Sequence, residues 1–164
     1  MAITAGQLKL YLTGGAANAN PALSLGGVTS SVEFIDATLN DLFASILPAE
    51  AAAGATKYRA LTFKNTSAET AFGCVMYIST ETTSSFTTVE IAFDATGTQA
   101  VGNENTSPAG LSFSTPLSLA GGISLGNIAA GGSARVWFKR IVTAGATVLA
   151  ADTGAITFTV GSGP

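Results

Sequence analysis

Histidine does not occur among the 164 residues, so the usual triad base, the commonest metal ligand and the usual proton shuttle near neutral pH are all missing. Carboxylates remain for acid–base work, but the ten Asp and Glu are spread singly along the chain, whereas glycoside hydrolysis needs two that face each other. Asp94 with Asn103, Glu104 and Asn105 is the one oxygen-rich cluster, a donor set of the kind calcium takes. Its spacing matches no cation loop, and Asn and Asp are also common turn formers. Cys74 is the only cysteine, which excludes an internal disulfide and a cysteine-based zinc site. Its setting in FGCVMYI predicts a small buried hydrophobe rather than a reactive thiol. The Gly-Gly pairs at 14–15, 26–27, 121–122 and 131–132 lack the Lys-Ser/Thr flank and the strand-to-helix context of phosphate loops, and read as turns. Neither an enzyme nor a cofactor site is expected.

The elements that would hold these residues are strands. Charged residues make up 10% of the chain against 47% hydrophobic, and mean hydropathy is +0.44. With so little charge to keep copies apart, the chain is expected to be packed in an assembly, as a homo-oligomer among other subunits. Net charge is −3 and the seven Lys and Arg form no basic run, so nucleic acid is not an expected partner. No apolar window approaches the length of a spanning helix, so no membrane is expected either. Met1–Thr4 has neither a basic start nor an apolar run, and no secretory signal is predicted there.

Ile123–Val142 organises the rest: Ile123, Leu125 and Ile128, a turn at 129–132, then a strand with Ala134, Val136 and Phe138 on one face and Arg135, Trp137 and Lys139 on the other. Further alternating strands are predicted over 7–12, 28–36, 57–64, 71–79, 87–94 and 155–160, with short apolar pieces at 111–113 and 117–119. The strand at 71–79 is apolar on both faces and is expected to be central. The expected core is Leu61, Phe63, Cys74, Met76, Ile78, Val89, Ile91, Phe93, Val136, Phe138, Ile156 and Phe158. One helix is predicted over 38–46, where Leu39, Leu42, Phe43 and Ile46 share a face, Thr38 and Asp41 cap the first turn and Pro48 ends it. The fold class is therefore all-β, an antiparallel two-sheet sandwich with one short helix near 38–47. Residues 1–56 would supply N-terminal strands, an arm and the helix, packed on a body formed by 57–164, in one domain overall.

Two stretches have no periodicity, an arm at 13–25 and a loop at 95–116. Both are expected to order against a partner. Asn18, Asn20 and Pro21 in the first, and Asn103, Glu104 and Asn105 in the second, are candidate partner contacts, together with Trp137. Exposed beside Arg135 and Lys139, Trp137 would be a platform for a sugar or a partner; covered, it would be core, which is the favoured reading.

Two segments carry a resemblance. Leu61–Ser67 (LTFKNTS) followed by Ala71–Ile78 resembles the hairpin in which an Asn-Thr turn joins two central strands of the immunoglobulin-like sandwiches in bacterial surface and phage virion proteins. Leu125–Val136 (LGNIAAGGSARV) is similar to the segment that precedes a long strand in those sandwiches. Over its whole length the chain, notably LFASILPAEAAAGATKYRAL and NENTSPAGLSFSTP, looks like small structural proteins of tailed bacteriophages. The resemblance implies an immunoglobulin-like fold and a virion protein, assembled in the host cytoplasm, whose partners are the major capsid protein or tail proteins. A capsid decoration (cement) protein on the head leads. A tail, neck or baseplate component is the alternative, and a carbohydrate- or host-surface-binding module using Tyr11, Tyr58 or Trp137 is a further one. The paired cysteines of antibody domains are lacking, so no antigen-type recognition carries over.

Overall fold

A computed structural model describes residues 3–36, 41–147 and 152–161. Eight strands are described: β1 (Leu8–Thr13), β2 (Thr29–Glu33), β3 (Ala55–Asn65), β4 (Ala71–Thr80), β5 (Thr87–Asp94), β6 (Ile123–Ile128), β7 (Ser133–Val142) and β8 (Ala155–Gly161). They form two antiparallel sheets packed as a sandwich, one ordered β2-β1-β3-β7-β5 and the other β6-β4-β8. The N-terminal strands belong to the sandwich itself: β1 pairs with β3 from Leu8↔Asn65 to Tyr11↔Thr62.

Alternation decides which side each residue faces. Leu61 and Phe63 of β3, Cys74, Met76 and Ile78 of β4, Ile91 of β5 and Val136 and Phe138 of β7 meet between the sheets with Leu12, Ala71, Leu125, Ile128 and Ala134. The rings of Phe63 and Phe158 stack across the gap at 4.6 Å. Of the expected core, Phe93, Ile156 and Phe158 are half-buried at its margin, and Val89 is half-buried. β4 is central in its sheet as expected, but only one of its faces is buried.

The organising stretch is not a hairpin. β6 pairs with β4, whereas β7 lies between β3 and β5 in the other sheet. The turn between them changes layers because Ile128 and Ala134 both enter the core, one from each sheet. Gly131 takes φ +71° in that turn, a conformation that costs glycine little.

The short helix lies later than predicted. Residues 41–47 are bend and coil, and α1 spans Pro48–Ala53; Thr38 and Leu39 fall outside the described residues. Pro48 opens α1 instead of ending a helix, because a first-turn proline has no N–H to leave unpaired. Glu50 accepts from the Leu47 N–H at 3.0 Å, and Gly54 at φ +80° ends the helix.

The arm and the loop also fold onto their own chain. Ala16 O accepts from Ser31 N, while Ser24 Oγ accepts from Thr13 N and donates to Ala60 O. The arm meets the loop through Gly27 N to Gln99 O (2.9 Å) and Val101 N to Leu25 O (2.9 Å). Val101, Leu111 and Phe113 then cover a second, smaller core of Tyr58, Ala60, Ala92 and Trp137 on the outer face of the five-stranded sheet. Both stretches thus make contacts within their own chain, the arm through hydrogen bonds of Ala16 and Ser24 and the loop also by packing on the sandwich's outward-facing Tyr58 and Trp137.

Candidate functional site

All seven cations of the chain lie on three strands of the five-stranded sheet, Lys9 on β1, Lys57, Arg59 and Lys64 on β3, and Arg135, Lys139 and Arg140 on β7. At one end, Lys57, Arg59 and Arg140 share the inward phase of Leu61 and Phe138, so three cations sit at the mouth of the sandwich. Lys57 pairs with Glu50 of α1 (2.6 Å) and with Glu104 of the loop (3.0 Å). Arg59, 1% exposed, is held by the other oxygen of Glu104 and donates to Tyr58 O at 2.9 Å. Arg140 donates to Ala44 O at 2.7 Å. Its guanidinium lies 5.0 Å from the Phe43 ring centre, and that of Arg59 lies 5.5 Å from the same ring. This network ties the 41–46 segment, α1 and the loop to the central strands.

Its electrostatics follow from those contacts. Burial by itself would raise the Glu104 carboxyl, but the hydrogen bonds from Arg59 and Lys57 outweigh it and hold the group below its ordinary value. The bond from Lys57 lowers Glu50. Burial opposes the charge on Lys57, but its two carboxylate partners raise it above the ordinary lysine value. Burial lowers Arg140, with Glu50 pulling the other way.

The oxygen-rich cluster is not brought together as a cation cage. Asp94 spends Oδ1 on Thr96 N, Thr96 Oγ1 and Gly97 N and Oδ2 on Gln99 N. Those bonds overcome the raising effect of burial and keep the carboxyl low. Asn103 Oδ1 accepts from Asn105 N and Thr106 Oγ1, closing a turn, Asn105 is exposed, and Glu104 faces its two cations. Among the described residues no group of three or more Asp, Glu, Cys or His is placed to hold a metal. In the arm, Asn18 Nδ2 donates to Thr13 O (2.6 Å), Asn20 Oδ1 accepts from Ala22 N (3.0 Å), and Pro21 opens a 3-10 turn. Trp137 is completely buried, and that withdraws it from the candidate contacts. Cys74 is buried too, and desolvation pushes its thiol up.

A cleft of about 940 Å³ opens beside the network, with Leu10, Phe34, Phe138, Phe158 and Arg140 in its lining. Glu81 and Asp152 also line it, each spending an oxygen on the turn after β4, at Thr82 N and Ser84 N.

Sequence reasoning missed the network, although Arg59 in phase with Leu61 and Phe63 was its signal, since a cation on an apolar face needs an internal partner. It also missed what the other sheet lacks: β4, β6 and β8 contain no charged residue at all. No family model, curated protein or solved structure matches the chain.

Proposed function

We propose that this chain is a non-enzymatic structural subunit of a phage virion, a capsid decoration protein seated on the outer surface of the head among many copies of itself. The observation that carries the structural reading is the internal use of charge. Lys9 pairs with Glu33 (2.7 Å), Lys139 with Glu90 (2.8 Å), and Lys57 and Arg59 with Glu50 and Glu104. Lys64 lies over the Tyr11 ring, Arg135 donates to Thr62 Oγ1, Gly27 O and Thr29 Oγ1, and Arg140 serves Ala44 O. Every cation thus has a partner in its own chain, and neighbours are met by hydroxyl, backbone and apolar groups, as suits a permanently packed subunit.

The virion attribution rests on the resemblance of Leu61–Ile78 and Leu125–Val136, which leaves a tail, neck or baseplate subunit as the alternative. A carbohydrate-binding module is disfavoured by the burial of Tyr58 and Trp137, which leaves Tyr11 alone of its three proposed platform residues.

Quantitative mass spectrometry of purified particles, with antibody labelling under the electron microscope, tests the proposal. Many copies distributed over the heads are expected. Absence from particles would overturn the proposal, and a few copies confined to the tail would replace it by the alternative.

A further inference from the structure

A sheet edge leaves a row of backbone N–H and C=O groups open to pairing, and folded proteins cover, shorten or kink such edges. Three of the four edges here are treated in that way. On β5, Ile91 N donates to Ser114 O (2.9 Å) and Ile91 O accepts from Ser114 N (3.1 Å). β2 has five residues, and Ser31 N of that strand donates to Ala16 O of the arm. β6 has six, with a register shift beside Gly126 at φ +74°. β8 has none of these devices: its seven residues hold no charge and no proline, and residues 156–159 pair with β4 in unbroken register. Which of its groups face outward follows from β4. Ile78 N donates to Pro116 O, upstream of β6 and away from β8, so Ile78↔Ile156 and Met76↔Phe158 are the non-hydrogen-bonded pairs of that ladder. Ile156 and Phe158 therefore turn their N–H and C=O to the open edge, where no described residue meets them.

We propose that β8 is an acceptor edge for a strand donated by a different protein chain, a single extended segment of about five to seven residues with apolar side chains at alternate positions, added as a fourth strand. The backbone fixes the class of partner: outward groups that repeat every second residue are matched by another extended backbone. The groove beside them fixes its side chains. Phe158 stacks on Phe63, which sets β8 over β3, so β1 and β2 run on past β8 for roughly 10 Å at ~4.8 Å per strand, with no described strand opposite. Between them lies a cavity of about 330 Å³ whose lining includes Leu8, Leu10, Phe63, Ile156 and Phe158, and it shares Leu10, Ile156 and Phe158 with the larger cleft. A fourth strand would lie over β1 with its inward side chains in that groove. The same overhang excludes a second copy edge to edge. Antiparallel pairing of two β8 edges about a two-fold axis keeps both five-stranded sheets in one layer, where the β1 and β2 of each copy would occupy the space of the other's. A lone segment meets no such obstacle. The site follows from the fold and does not depend on the virion reading.

Amide hydrogen exchange of the full chain, read by NMR, tests this. The probe is a short peptide of alternating valine and threonine, the length of β8, kept soluble by lysines at its C-terminus. In the free protein the Ile156 and Phe158 amides should exchange at least about tenfold faster than those of Thr157 and Thr159, which face β4. Saturating peptide should bring the two pairs to the same level. N-methylation of one alternate set of peptide amides, valines or threonines, should weaken binding about tenfold or more while methylation of the other set leaves it unchanged, because only one edge of the peptide faces β8. Equal effects of the two methylations, no protection by the plain peptide, or protection on β2, β5 or β6 instead, overturns the proposal. Slow exchange at Ile156 and Phe158 in the free protein at every concentration would mean that the edge is already covered, and slowing that grows with protein concentration without peptide would make the occupant a second copy; either result overturns it.

Discussion

Replacing Glu104 by Gln removes the one carboxylate that serves two cations at the mouth of the sandwich. In the native chain its two oxygens meet Lys57 and Arg59, whose side chains are 10% and 1% exposed, while Glu104 itself is 31% exposed. Breaking a fully buried pair costs about 3–5 kcal/mol. Here Lys57 keeps Glu50, the amide can still accept one bond from Arg59, and water reaches Glu104, so the expected loss is ~2–3 kcal/mol. For a chain of this size that lowers the melting temperature by roughly 5–10 °C. The pH dependence is part of the prediction. Because the folded carboxyl titrates below its ordinary value, its contribution is complete above the unfolded value of about 4.3 and is lost as pH falls through the folded value. The gap between native and variant should therefore be constant from neutral pH down to that point and narrow below it. Calorimetric or denaturant unfolding across that range measures it, with Glu33→Gln, which unpairs the more exposed Lys9, as the control that shifts the transition least. A loss under about 0.5 kcal/mol, within the range of an ordinary surface substitution, or a gap that persists unchanged in acid, would refute the reasoning.

The second core yields two further outcomes. The Trp137 indole N–H has no acceptor among the described residues, so Trp137→Phe loses volume but no described hydrogen bond and should cost roughly 1–2 kcal/mol, against about 3–5 kcal/mol for Trp137→Ala, as read from equilibrium unfolding. Gly26→Ala, just past the arm, should be strongly damaging. The backbone there has φ +87°, and a Cβ would fall 2.0 Å from Gln99 O and 2.7 Å from the Trp137 ring; a tryptophan emission that shifts to the red, together with a lowered melting temperature, is the expected signature.

What could be read from the sequence was the part governed by local alternation. The strands over 57–64, 71–79, 87–94 and 133–142 announce their inward residues because one-residue steps switch faces, and Leu61, Met76, Ile91 and Val136 lie where that rule puts them. The pairing of strands far apart in sequence was not legible: nothing in Ile123–Val142 says that its two halves join different sheets. The helix was misplaced because Leu42, Phe43 and Ile46 are spaced like a helical face, yet Phe43 is used as a ring between two guanidiniums, and Pro48 acts as a starter. The loop looked unpartnered because the surface it covers, Tyr58 and Trp137, lies on strands distant from it in sequence. Stitched as it is through Ala16 O, Ser24 and Gly27 N, the arm is part of the fold. The charge-free sheet was fully legible in residues 71–80, 123–128 and 155–161, but its meaning needs the topology that places those three strands side by side.

If the chain is a virion subunit as proposed, its cations, all engaged internally, leave uncharged surface to attach it to the head. Binding of the purified protein to phage heads that lack it, followed by co-sedimentation from about 50 mM to about 500 mM salt, tests that claim most directly. The account predicts saturable binding at many copies per head with an affinity that changes by no more than about twofold across the series, a shift of ~0.4 kcal/mol. Failure to bind heads at any salt, or a tenfold or greater loss of affinity at the upper end (about 1.4 kcal/mol), would contradict it.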